Sequence, residues 1–170
     1  VMKRQNYPIG CIISLQSKNP DSYMFHTHSV ELAELQAKAM GIPILLRETE
    51  GLKEEELKDL ISALKEAMEK HKIEGVVSGA LYSNYQRERI ENICEMLGLK
   101  IFTPLWHLNQ ETELREILAS SFDIIFTRIA AEGLDKSWLG IPITKNHISK
   151  LVELNKKYGL NIAGEGGEYE

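Results

Sequence analysis

Cysteine is scarce in this sequence. Its two residues, Cys11 and Cys94, lie far apart and form no CxxC pair. That speaks against a disulfide framework and a cysteine-built zinc site, and both are expected to be plain buried thiols. No apolar run approaches the roughly 18 residues that a membrane span needs. No signal peptide is visible, which makes the cytoplasm the default expectation. Positive charge is not in excess: the formal net charge is −5. A general nucleic-acid binder needs a basic face, so direct nucleic-acid binding is not expected. Also missing are G-x-G-x-x-G and GK[ST], the fingerprints of dinucleotide-binding and P-loop turns.

What is present is enough for one domain with a real core: 170 residues, of which 43% are apolar. Short apolar runs alternate with amphipathic stretches. Ile9–Leu15 reads as a buried strand. A helix follows, capped near Thr27 or Ser29, with Leu32, Leu35 and Ala39 inward and a stop at Gly41. Ile42–Leu46 is the next strand. Lys53–Lys70 is the clearest helix, because Leu57, Leu60, Ile61, Leu64 and Met68 recur at helical spacing. Its many charges read as a solvated face. Glu74–Ala80 reads as strand then loop, and Tyr85–Leu97 as a helix stopped by Gly98. Ile101–Leu105 is a strand, Thr112–Ser120 a helix and Asp123–Ile129 a strand. Asn146–Tyr158 is a helix with Ile148, Leu151 and Val152 inward, stopped by Gly159, and Asn161–Ala163 a last short strand. Strands alternating with helices mean βαβ units and an α/β fold with a mostly parallel sheet, helices on both faces. Ligands of such sheets sit beyond the carboxyl ends of the strands. The loops to search therefore begin near Gln16, Arg47, Ser78, Leu105, Ala130 and Gly164.

Three of these loops carry chemistry. Asp21–His28 clusters polar and aromatic groups ahead of a helix N-terminus, which favours anions. His26 and His28 have no third ligand nearby in sequence, so no metal site is expected there. In Ser78–Arg89, the helix behind the loop buries Ile90, Ile93, Cys94 and Leu97, and extending that face back one turn lands on Gln86, with Arg89 beside it. Polar side chains there need partners, either a ligand or an internal hydrogen-bonded network. Arg87 and Glu91 are an i, i+4 surface pair. In Gly164–Glu170, three glycines stand among three carboxylates. Glycine lets backbone approach a ligand closely, and Glu165, Glu168 and Glu170 can hold a metal, orient ammonium or act as bases; a solvated loop is the plainer reading.

Taken together, Ser22–Thr27, Ser78-Gly79-Ala80 with Ser83–Arg87 and Arg89, Gly133–Asp135 with Trp138–Gly140, Tyr158-Gly159 and Gly164–Glu170 resemble one family in the same order along the chain. That family is diphthine–ammonia ligase, of the adenine-nucleotide α-hydrolase or PP-loop ATP pyrophosphatase group. The resemblance implies a HUP-type, Rossmann-like sheet. It implies ATP with Mg2+, ammonium as nitrogen donor, and translation elongation factor two as protein substrate. It also implies activation of the diphthine carboxylate as an acyl-adenylate, then amide formation. The family's phosphate loop, Ser-Gly-Gly-Lys-Asp-Ser, is not in this sequence. Val1–Asn6 fits the end of the helix that follows that loop, so the expectation is a single nucleotide-binding domain, 1–170, without its first strand, its phosphate loop and its C-terminal continuation.

On that resemblance, adenosine is expected beside Leu15, Ser17, Ser78, Gly79 and Ala80, with Gln86 and Arg89 toward phosphate or carboxylate charge. Diphthine carries a trimethylammonium group, which aromatic faces and carboxylates hold best. Ser22, Tyr23, His26, Ser83, Tyr85, Trp106, Gly166 and Gly167 are expected on the acceptor side. Glu168 is expected near the reacting carbonyl, and Glu165 near the cation; the plainer alternative is that both merely cap neighbouring backbone amides. Another PP-loop enzyme, RNA-thiolating or amide-forming, and a nucleotide-sensing module without chemistry stand as alternatives. A homo-oligomer is left open.

Overall fold

The computed structural model describes residues 2–19, 24 and 32–170. The chain forms two compact units, Val1–Pro104 and Leu105–Glu170. The first follows the expected α/β order, while the second keeps its helices without the expected strands.

In the first unit, β1 (Ile12–Ser17) pairs in parallel with β2 (Ile44–Thr49), and β3 (Gly75–Val77) in parallel with β4 (Lys100–Phe102). The first strand starts later than Ile9 because pairing begins at Ile12↔Ile44. The residue before Ile44 is Pro43, which lends its carbonyl to the Ile12 amide (2.8 Å) but has no N–H to extend the ladder backward. Helices α1 (Leu32–Met40), α2 (Glu56–His71) and α3 (Asn84–Leu97) complete the unit. The α2 period holds: Leu60 and Leu64 are buried, while Leu57, Ile61 and Met68 pack against them. Ala63 and Ala67, fully buried, widen that stripe. From α3, Ile93 and Cys94 join the same core, together with Leu15 of β1. Burying three or four such aliphatic side chains contributes about 1.5–3 kcal/mol each. The α3 helix stops at Gly98, whose left-handed φ of 70° lets its amide reach back to the Cys94 and Glu95 carbonyls.

The face assigned to α1 is corrected. Leu32, Leu35 and Ala39 are exposed, and the buried residue is Ala37. The i, i+4 pair Ala33 and Ala37 turns inward, so small side chains rather than leucines face the unit. The Thr27 and Ser29 caps lie outside the described residues. Cys11 is also corrected: it is half-buried, whereas Cys94 is buried as expected. Met2–Gln5, read as the tail of a helix, is a 3-10 turn.

The second unit holds α4 (Gln110–Ala119) and α5 (Lys145–Tyr158) over an aromatic core. Asn109 caps α4 by accepting from the Thr112 amide (3.0 Å). Phe126 stacks on Tyr169 at 3.9 Å and faces Trp138 at 5.9 Å; Leu114, Ile148 and Leu151 pack with them. The strand expected over Asp123–Ile129 is reduced to two isolated bridges, Phe126↔Leu139 and Ile129↔Tyr169. Its neighbours cannot sustain a ladder. One contains Gly140 at φ 69° and Pro142, and the other ends the glycine-rich turn. The last strand, Asn161–Ala163, is a turn instead. The Asn161 side-chain oxygen accepts from the Ala163 amide (3.0 Å) and the Glu165 amide (3.3 Å), an arrangement that competes with strand pairing.

Candidate functional site

The carboxyl ends of β1 and β2 carry polar groups that are buried: Ser17 and Thr49. The Ser17 hydroxyl donates to the Asn19 carbonyl (3.0 Å) and accepts from the Asn19 amide (3.1 Å). The Asn19 side-chain amide donates to the Gly51 carbonyl (2.9 Å), and the Gly51 amide to the Thr49 hydroxyl (3.3 Å). Gly51 is demanded twice over. Its φ is 68°, and a Cβ there would stand 2.0 Å from the Ser17 oxygen. A hydroxyl lattice therefore ties two strand ends together without charge.

Beyond β3, Ser78 and Ala80 are buried and Gly79 is exposed, with nothing within 4 Å of an added Cβ. The Ser78 hydroxyl accepts from the Ala80 amide (3.3 Å), bending the chain sharply at the strand end. The exposed Gly79 leaves backbone open for a ligand edge. Ser83 caps α3, accepting from the Gln86 amide (3.3 Å), and so fixes where the first turn of α3 points. The Gln86 side-chain amide reaches the Met24 carbonyl at 3.5 Å.

Arg89 and Tyr85 sit one turn apart on α3, and Glu54, from the loop between β2 and α2, binds both. A single oxygen, Glu54 Oε1, accepts from Tyr85 OH (3.1 Å), Arg89 Nε (2.9 Å) and Arg89 Nη2 (2.5 Å). The guanidinium carbon lies 3.4 Å from the Tyr85 ring centre, and Arg89 Nη1 donates to the Tyr85 carbonyl (3.3 Å). Lys53 Nζ stands 5.2 Å from the same ring. The Arg89 hydrogen bonds hold the Glu54 carboxyl below the usual carboxylate range. Burial, then the Glu54 bond, pushes the Tyr85 phenol up. The Lys53–Lys70 charges are largely solvated as expected, Glu54 included, and the correction is Glu56, which is buried. One acid in an acidic run carries no signal of its own. Thr49 was likewise missed; its sign is a polar residue closing an apolar strand. The Arg87–Glu91 pair forms as expected, at 2.6 Å.

In the second unit, both Glu168 oxygens meet backbone amides: Oε1 accepts from Asn161 (3.1 Å) and Oε2 from Gly166 (2.9 Å). A Cβ on Gly166 would lie 2.6 Å from the carboxylate, so a larger residue there would push the Glu168 side chain aside. Glu165 and Gly167 are exposed. Glu113 has a buried carboxylate oxygen, Oε2, without a hydrogen-bond partner. Burial, then the Glu165 charge, raises its carboxyl above the usual range. The Tyr169 hydroxyl donates to the Ile162 carbonyl, and burial pushes this phenol up. Trp106 stacks on His107 at 4.6 Å. Ser22, Tyr23 and His26 lie outside the described residues. The first unit thus holds separate local groups: Ser17 with Asn19, Thr49 and Gly51 at the ends of β1 and β2, the Ser78–Ala80 turn after β3, Ser83 with Gln86 at the start of α3, and Tyr85 with Arg89 on Glu54; in the second, Glu168 is tied to the Gly166 amide beside Glu165. Among the described residues no three His, Cys, Asp or Glu side chains gather as metal ligands.

Comparison with known proteins follows the same division. The diphthamide synthase N-terminal domain matches residues 1–101, and the diphthamide synthase C-terminal domain matches residues 109–170. A rat diphthine–ammonia ligase is 39% identical over 175 residues, covering 92% of this chain and 62% of its own length. The mouse protein of that name is 41% identical with the same coverage, and the human one 37% identical over 88% of this chain and 60% of its own length. The chain spans about three-fifths of the length of these relatives. In the order of its motifs, and by domain matches that between them cover nearly all its residues, the chain belongs to the diphthamide synthase family.

Proposed function

We propose that the protein carrying this chain is an ATP-dependent ligase that amidates diphthine on translation elongation factor two. In the first half-reaction the diphthine carboxylate attacks the α-phosphorus of ATP, pyrophosphate leaves, and an acyl-adenylate forms. In the second, the ammonia lone pair attacks the acyl carbon, the C–O bond to AMP breaks, and a proton is released as the amide forms. The names of the relatives support the substrate and the nitrogen donor. The observation that carries the reading is the Ser78–Ala80 turn at the carboxyl end of the parallel strand β3, where α/β sheets take their ligands, followed at once by the Ser83-capped start of α3.

Each residue then has a task. The exposed Gly79 backbone and the Ser17 and Ser78 strand ends take the adenosine side. Arg89 offsets the carboxylate and phosphate charge that meets during adenylation. Magnesium would accompany the triphosphate. Glu168, through its two amide bonds, shapes the Gly164–Gly167 turn and brings that backbone and Glu165 to the ammonia half-reaction. We assign the reaction to the cytoplasm, where translation factors work; no described helix is long and apolar enough to cross a membrane.

The test is direct. Full-length protein, diphthine-bearing elongation factor two, ATP and ammonium are combined, and the modified peptide is followed by mass while pyrophosphate is assayed. Stoichiometric amide and pyrophosphate are expected. Pyrophosphate release that does not depend on diphthine, or product carrying sulfur, would overturn the reading.

A further inference from the structure

We propose that Glu54 is a positioning residue, fixing Arg89 and Tyr85 in the orientation in which Arg89 meets an anionic reactant; this rests on the reading of Arg89 as a site residue. Three observations converge. One carboxylate oxygen accepts from three donors on two α3 residues, 31 and 35 positions further along the chain. An isolated surface ion pair contributes little and is screened by salt. Here the guanidinium is held edge-on by the carboxylate and face-on by the Tyr85 ring at 3.4 Å. These contacts restrict its rotation about the last side-chain bonds.

The second observation is the backbone of Glu54 itself. Its φ is 68°, the left-handed region that a glutamate rarely adopts. Strained backbone of this kind persists where the surroundings over-determine it. The amide of Leu57 donates to the Glu54 carbonyl (3.3 Å), and that of Glu56 to the Leu52 carbonyl (3.0 Å), so the strained residue is locked into the turn that opens α2. The third observation is the choice of bonds. Glu54 occupies the Nε–Nη2 edge, and Nη1 donates to the Tyr85 carbonyl. The fork is thus oriented by its own unit before any ligand arrives. Neighbouring Glu55 does something else: it pairs with Lys58 on the surface at 2.5 Å. Two adjacent acids thus have different roles, and only one of them reaches α3.

The test uses the full-length protein and measures kcat/KM for amide formation, with melting temperature alongside. Glu54→Ala is expected to lower kcat/KM by about 10- to 100-fold, because a displaced catalytic group loses rate steeply with distance. Glu54→Gln keeps one acceptor oxygen and falls between. Glu55→Gln leaves the rate unchanged. The decisive variant is Glu54→Ala combined with Arg89→Met. If Glu54 acts through Arg89, the double variant is no slower than Arg89→Met alone, within about threefold. Losses that multiply, with a lowered melting temperature, would make Glu54 a general brace of the loop and overturn the proposal. A wild-type rate for Glu54→Ala beside an impaired Arg89→Met overturns the positioning role and leaves the site reading standing. A wild-type rate for Arg89→Met overturns the site reading, and the role of Glu54 falls with it.

Discussion

Two glutamates show how differently the halves of this molecule use the same side chain. Glu54, in the first unit, reaches donors 31 and 35 residues away in sequence. Glu168, in the second, accepts from amides 7 and 2 residues away. The near reach shapes a turn and the far reach orients another element. The surroundings follow suit: the first unit ends β1 and β2 in Ser17 and Thr49, linked through Asn19 and Gly51, and the second closes on a column of aromatic rings. The lesson is that a carboxylate in a glycine-rich motif is first a builder of backbone. Under the proposed function, the first unit serves activation of the carboxylate and the second the amide-forming step.

The largest expected effect strikes the aromatic column. Phe126 is 2% exposed and stacks against both Tyr169 and Trp138. Phe126→Ala is expected to cost about 3–5 kcal/mol, read by urea unfolding and by faster amide exchange in the second unit. A loss below 1 kcal/mol by this measure would mean the column is not what holds that unit together.

Next is the charged site of the first unit. Arg89→Met is expected to lower amide formation by about 100-fold and to leave the melting temperature nearly unchanged, since its ion pair with Glu54 lies at the surface. Fold stability collapsing at full activity would reverse the contrast between the two units.

A smaller effect sharpens it. Tyr169→Phe keeps the stack on Phe126 but removes the donor to the Ile162 carbonyl. About 1–2 kcal/mol of stability should be lost. The native phenol is raised by burial, so the folded state keeps its proton after the unfolded chain has released it. Stability therefore falls as pH rises above the ordinary tyrosine range. Tyr169→Phe should remove that fall, which denaturant midpoints across alkaline pH will show.

The smallest effect is at Glu113, whose carboxyl is raised mainly by burial. Here too the folded state binds its proton more tightly, so stability is lost as pH climbs through and above the usual carboxylate range. Glu113→Gln is expected to stabilise at neutral pH by about 0.5 kcal/mol or less, partial exposure screening the cost. The gain should vanish near pH 3, below the reference carboxylate range. A loss at neutral pH would give this acid a native partner.

What the sequence made legible were the features that are local and periodic. The apolar stripe of α2, the Ile93–Cys94 face of α3 and the glycine stops at 98 and 159 all appeared as expected. Ser78–Arg89 stood out because polar residues interrupt an apolar helical face. Glu54 did not, because its partners are more than 30 residues away and its neighbours are also acidic. The inward face of α1 was misjudged because leucines at helical spacing outweighed the smaller Ala33 and Ala37. The strand expected over Asp123–Ile129 failed for want of partners able to extend it, a property of other segments. Side-chain competition at Asn161 was hidden for the same reason, since the residues it caps look extended in isolation.

The assignment of activation to the first unit and ammonia delivery to the second is tested most directly by separating the half-reactions. Diphthine-dependent exchange of labelled pyrophosphate into ATP is measured in full-length protein without ammonium, for Arg89→Met and for Glu168→Gln. Exchange is expected to be lost in Arg89→Met and retained in Glu168→Gln, while amide formation falls in both. Exchange retained in Arg89→Met and lost in Glu168→Gln would contradict it.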